Sequence, residues 1–212
     1  MNELQRQHSE KFWTWFIRNE LELCDIRSSE DPILEVLLDR LQQIHAGFFF
    51  EISINADPHE LIISAAGKRE LFSTVDEFVA GAPQIPSWKF IALKPPQGFD
   101  FVTTYQDVDY DPKTFWFLPM IKGTGNGALL GLRVGIPNFS PERKANAQFA
   151  VLIILDTALG ERSAAEDVDY LEVDSLPTIP EKDGFIELSD LPKFILWRKN
   201  KTDRTDPSTS SG

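Results

Sequence analysis

Three short stretches carry residue types whose spacing could do chemistry. In "SAAGKREL", residues 64–71, Gly67-Lys68 sits where a strand-like run gives way to a helix-like one. A phosphate-cradling loop needs a second glycine five residues earlier and a hydroxyl after the lysine. Those places hold Ile62 and Arg69, so the stretch reads as a tight turn with Lys68 and Arg69 solvated. "GTGNG", residues 123–127, resembles a dinucleotide loop, but such a loop must open a helix. Here the strand-like "ALLGLRVGI" follows, which predicts a hairpin turn with Asn126-Gly127 supplying positive φ. "DVDYDP" spaces Asp107, Asp109 and Asp111 like the start of a calcium loop. The glycine and glutamate such a loop needs at its sixth and twelfth places are Pro112 and Leu118. A turn with solvated carboxylates is the expectation. His8, His45 and His59 have no second ligand at zinc spacing, and no Gly-x-Ser-x-Gly occurs. Cys24 falls on a helix face near leucines, as a small packing residue. No metal and no cofactor is expected.

The remaining constellation depends on the elements that would position it. Residues 1–46 read as two helices. In the first, Phe12, Trp13, Phe16, Ile17 and Leu21 share a stripe interrupted by Glu20. The second starts at Asp31-Pro32 and stops before Gly47, with Leu34, Leu37, Leu38, Leu41 and Ile44 as its stripe. Phe48, Phe50, Ile52 and Ile54 alternate with Phe49, Glu51, Ser53 and Asn55, a period of two that marks a strand. "NADPHE" is turn chemistry and "ELIISAA" a second strand. "KRELFSTVDEFVAGAP" is a helix ended by Gly81 and Pro83, and "WKFIALKP" a third strand.

The later half repeats this order. "TFWFLPMI" and "ALLGLRVGI" form a hairpin. "SPERKANAQFAVLIILDTALG" is a helix capped by Ser140 and Pro141 and buried through "FAVLIIL", and "EDVDYLEVD" is a closing strand. The reading is a single α+β domain over residues 1–197. Its N-terminal helices span 1–46, one ββαβ unit spans 48–95, a connector 96–113, a second ββαβ unit 114–176, and a C-terminal segment 177–197. The units are expected to form a mixed sheet with their helices on one face, the N-terminal helices covering an edge or part of the other. Residues 198–212 contain no apolar side chain and are expected to be a disordered tail.

On that layout Glu51, Ser53, Ser64, Lys94, Arg133 and Glu172 interrupt otherwise apolar strands. If they share the face without helices, they make a mixed polar surface in which Arg133 pairs across strands with Glu51 or Glu172. An antiparallel sheet with one wet side is polar there for solvation alone. The functional alternative is a binding groove, with Trp88, Tyr105, Trp116 and Tyr170 adding contacts.

Charge narrows the partners. The 212 residues carry a formal charge of −12, which repels phosphate backbones and suits a basic protein. Nucleic acid is therefore not expected. The longest apolar run, Phe149 to Leu155, is far short of the roughly 20 residues needed to cross a bilayer. The polar N-terminus has no apolar signal core, and a single cysteine suits a reducing compartment, so a cytoplasmic protein with no membrane attachment is expected.

Three segments, "FWTWFIRNE", "ELIISAAGKRELFSTVDEFVAGAPQIPSWKFIALKP" and "ILDTALGE", resemble an uncharacterised bacterial family, one of the domains of unknown function. The resemblance covers most of residues 10 to 195, with Ala158 where the family usually has a larger residue. These are core and turn motifs, so the resemblance implies a fold and assigns no activity. The functional expectation is a non-enzymatic binding or regulatory protein, such as an immunity or inhibitor protein that neutralises a basic partner. The alternative is an enzyme whose site assembles from Glu51, Glu172 and Arg133. A module that dimerises through a sheet edge is a third reading, and the sequence leaves the oligomeric state open.

Overall fold

A computed structural model describes residues 1–124 and 128–203. The chain is α+β and divides into two compact units, Met1–Pro95 and Pro96–Gly212.

The first unit opens with α1 (Glu3–Arg18), α2 (Glu20–Cys24) and α3 (Pro32–Ile44). Asn2 and Gln5 form a reciprocal capping box at the start of α1. The expected single first helix is broken at Asn19, whose side-chain amide donates to the Trp15 carbonyl at 2.7 Å. The break changes which residues face inward. Phe12, Trp13, Phe16 and Leu23 are buried, whereas Ile17 and Leu21, expected in the stripe, are exposed. Asp31 accepts from the Ile33 amide to cap α3, which buries Ile33, Leu37, Leu41 and Ile44.

Strands β1 (Phe49–Ser53) and β2 (His59–Ser64) pair antiparallel. The chain then crosses through α4 (Phe72–Ala80) to β3 (Trp88–Ala92), which pairs parallel with β2. Gly67, at φ 73° with open space around it, turns the chain into that crossover, as a glycine can without cost. The sheet order is β1-β2-β3. Helix α1 joins α4 on one face of this sheet instead of taking the other: Trp13 stacks on Phe78 of α4 at 4.7 Å and meets Phe90 of β3 edge-on at 4.8 Å.

The second unit follows the same plan with additions. A two-stranded ribbon, β4 (Thr103–Tyr105) and β5 (Val108–Tyr110), occupies what the sequence reads as plain connector. β6 (Trp116–Lys122) pairs antiparallel with β7 (Leu129–Ile136). The turn expected at Asn126-Gly127 lies outside the described residues. α5 (Lys144–Leu159) and a short α6 (Glu161–Asp167) lead to β8 (Tyr170–Ser175), parallel to β7. β9 (Ile186–Glu187) adds to the free edge of β6, giving the order β8-β7-β6-β9, and α7 (Leu191–Asp203) closes the unit. Residues 198–203 are thus helical where a tail was expected, and the rest of that expected tail lies outside the described residues.

The strands belong to a three-stranded, a two-stranded and a four-stranded sheet, not to one continuous sheet. Phe117, Leu130, Leu132, Val134 and Val173 form one core with Ala150, Val151 and Ile154 of α5 and with Leu191 and Ile195 of α7. On the opposite face of β7, Gly131 lies under the Tyr170 ring, where an added Cβ would fall 2.0 Å from ring carbons. Tyr170 also donates from its hydroxyl to the Met120 carbonyl at 2.8 Å. No described helix is long and apolar enough to cross a membrane.

Candidate protein-docking surface

The six residues expected on one polar sheet face fall into two units. Glu51, Ser53, Ser64 and Lys94 are in the first, and Arg133 and Glu172 in the second. Glu51 and Lys94 form an ion pair at 3.3 Å. Arg133 and Glu172 face each other in the β7–β8 ladder and pair at 3.0 Å, one of the two pairings expected for Arg133. Ser53 is exposed at the end of β1. Ser64 is not on a wet face: it is buried, and its hydroxyl accepts from the Ala66 amide at 3.0 Å. The cause is the central place of β2, whose last four residues are buried whichever way they point. The first sheet has its own cross-strand pair, Glu60 with Lys89 at 2.8 Å. These half-exposed pairs are what a solvated sheet face carries, each contributing little to stability. Of the aromatics expected to assist, Trp88 is buried, while Trp116 and Tyr170 are half-buried.

A different surface stands out. "FAVLIIL" is helical, as expected, but it is not buried all round. Ala147, Ala150, Val151, Ile154, Leu155 and Ala158 pack into the core, while Phe149, Leu152 and Ile153 on the opposite side are exposed, Phe149 by 57%. Their spacing of three and four residues places them in one row along the helix. A helix apolar on every side normally lies inside a protein. One that keeps such a row in water is a candidate contact surface. Tyr105 of β4 packs on Phe149 with ring centroids 6.3 Å apart and extends the row sideways.

Tyr105 also pairs in the ribbon with Val108, which lines a cleft of about 690 Å³ at the head of α5. Its walls come from β5, Thr114 and Phe115, the end of β7 and the loop leaving it, and the first turn of α5. Asp109 and Asp111, two of the calcium-like carboxylates, line it with Glu142, against one cation, Arg143. The acids have separate local tasks. Asp109 Oδ1 accepts from the Thr104 hydroxyl at 2.6 Å, Asp111 Oδ1 from the Lys113 amide at 3.0 Å, and Glu142 Oε2 from the Ser140 hydroxyl at 3.3 Å. Lys113 holds its proton more firmly than a free ammonium, chiefly through its hydrogen bond to Asp100 and least through Asp111. Asp107 stands apart in the β4–β5 turn at φ 58°. Among the described residues no group of three or more His, Cys, Asp or Glu side chains is placed to hold a metal ion.

Sequence reasoning missed this surface for two reasons. The apolar run fixes the helix but not which side stays uncovered. The cleft joins residues some thirty positions apart through a ribbon with no glycine in its turn.

No protein-family model matches the chain, and neither does any curated protein or solved structure.

Proposed function

We propose that this chain is a non-enzymatic binding module of the cytoplasm that neutralises a basic protein, in the manner of an immunity or inhibitor protein. The observation that carries this reading is the exposed row of Phe149, Leu152 and Ile153 beside a cleft lined by three carboxylates and one guanidinium. Apolar surface removed from water contributes about 25 cal/mol per Å², which supplies affinity. Excess negative charge at the cleft and over the whole chain supplies steering and selects a basic partner. We place the chain, by its "FWTWF" and "ELIISA" segments, with the bacterial family it resembles, and that membership belongs to the same proposal.

The test is capture of the tagged chain from its cell of origin at low and high salt, in parallel with the L152Q/I153Q variant. A captured protein is then purified and titrated against both forms. The expected result is one basic protein that binds the unaltered chain and binds the variant at least ~10-fold more weakly, as loss of two buried aliphatic contacts implies. Recovery of the chain alone at both salts, or equal binding by both forms, rejects the proposal. A dimeric mass in light scattering that becomes monomeric in the variant replaces it with self-association.

A further inference from the structure

We propose that the free edge of β3 takes an extended segment of a partner polypeptide as a fourth strand, with one of its apolar side chains in the cleft where β3 begins. This site lies in the first unit and goes beyond the docking role given to α5 of the second. The order β1-β2-β3 leaves β3 at an edge of its sheet. Two bonds to β2 fix the direction of its backbone groups. The His59 amide donates to the Ser87 carbonyl at 2.9 Å, and the Leu93 amide donates to the Ile63 carbonyl at 2.8 Å. Amide and carbonyl of one strand residue point the same way, and the direction alternates along the strand. Ser87, Lys89, Ile91 and Leu93 therefore face β2, while Trp88, Phe90 and Ala92 face outward. The Trp88 amide is taken by the Ile85 carbonyl at 3.0 Å. The amides and carbonyls of Phe90 and Ala92 have no partner among the described residues.

Strand edges are commonly blunted by a proline, a bulge or a covering segment. β3 has no proline from Trp88 to Ala92, and its register with β2 runs without a bulge. Pro86 and Pro95 lie just outside and confine an added strand to this stretch.

A cleft of about 450 Å³ opens at the start of the strand, walled by Trp88, Phe90, Ile85 and Pro83 and by Val79 of α4. Trp88 is 5% exposed, and its buried indole N–H finds no acceptor among the described residues. His59, opposite Trp88 in the ladder with ring centroids 5.2 Å apart, keeps a buried Nδ1 that is likewise unmatched. A buried donor without an acceptor carries a cost that an arriving carbonyl removes. Indole only donates, so the arriving group must accept.

Charge selects against an ion. Lys89 is the one charged residue lining this cleft, and its ammonium already bonds to Glu60 at 2.8 Å. What remains is a main-chain edge, an indole donor and an apolar recess. An extended, uncharged peptide complements all three. Its amides and carbonyls meet the edge, and a side chain on every second residue can fill the recess.

The experiment begins with the full chain alone. Hydrogen exchange read by NMR is expected to be fast at the Phe90 and Ala92 amides and slow at Lys89 and Ile91. Random eight-residue peptides displayed on phage are then selected against the full chain. A selected peptide is synthesised unmodified and with each alternate set of its amides methylated. The unmodified peptide is expected to protect the Phe90 and Ala92 amides and to shift the Trp88 indole N–H. Methylation of one set is expected to weaken binding at least ~10-fold more than methylation of the other, through loss of main-chain bonds on one side only. A92P removes an outward amide and none in the β2 ladder, so it is expected to keep the folded spectrum and weaken the peptide ~5-fold. Slow exchange at Phe90 and Ala92 in the chain alone means that the edge is already covered, and it overturns the inference. So does a selection that yields no binder, a binder that shifts only residues outside 79–93, or equal effects of the two methylated sets. If A92P unfolds the chain, the methylated peptides still decide. None of these outcomes bears on the α5 row, which L152Q/I153Q tests separately.

Discussion

Helices α4 and α5 occupy the same place in two versions of one plan, and they treat water differently. Each follows the second strand of an antiparallel pair and crosses to a third strand parallel to it. Helix α4 is two-sided in the ordinary sense. It buries Phe72, Val75 and Phe78 and turns Ser73, Asp76 and Glu77 outward. Helix α5 buries a longer row and keeps Phe149, Leu152 and Ile153 outward. Packing explains the inner row of both helices. In the outer row of α5, Phe149 is partly covered by Tyr105 of the ribbon, while Leu152 and Ile153 stay about half exposed. That asymmetry is why the docking role is assigned to the second unit.

The largest expected effect tests the inner row of the first helix. Phe78 is fully buried and stacked on Trp13, so F78A should cost ~3–5 kcal/mol in denaturant unfolding. A loss under 1 kcal/mol would break the claim that α4 is held by that face. Next comes the sheet beneath α5. An alanine at Gly131 would place its Cβ 2.0 Å from the Tyr170 ring, with backbone ladders on both sides of β7 resisting any shift. G131A should cost ~1–3 kcal/mol, and Y170A in the same chain should recover part of it. A smaller effect is expected at the crossover of the first unit. Gly67 has φ 73° but empty space around it, so G67A should cost ~1 kcal/mol from backbone conformation alone. The smallest effect sharpens the likeness of the sheets. Glu60–Lys89 and Arg133–Glu172 both join the second strand to the third. A double-mutant cycle on either pair should return ~0.2–1 kcal/mol, falling as salt is added. A coupling well above that for Arg133–Glu172 alone would mean the pair is shielded from solvent.

Much of this layout could be read from residue order. The period-two run at Phe48–Asn55 became β1, the Asp31-Pro32 start became the cap of α3, and Gly67 became the turn out of β2. The failures have physical causes. Asn19 breaks the first helix through a side-chain bond to the backbone, which no apolar period reveals. The β4–β5 ribbon turns through Gln106 and Asp107 at φ 50° and 58°, conformations usually signalled by glycine or asparagine. β9 is two residues long, and α7 is too evenly mixed to show a stripe. At the site, Asp109 and Asp111 drew notice for their spacing, while their neighbours Tyr110, Phe139 and Glu142 are gathered only by the fold.

The most direct measurement is the thermal unfolding midpoint of the double variant L152Q/I153Q beside the unaltered chain. If these two residues of α5 do no folding work, the midpoint moves by less than ~2 °C, since 1 kcal/mol corresponds to roughly 2–4 °C in a chain of this size. A fall of ~6 °C or more would show that the row is covered within the native chain itself, and the docking surface would be lost with it.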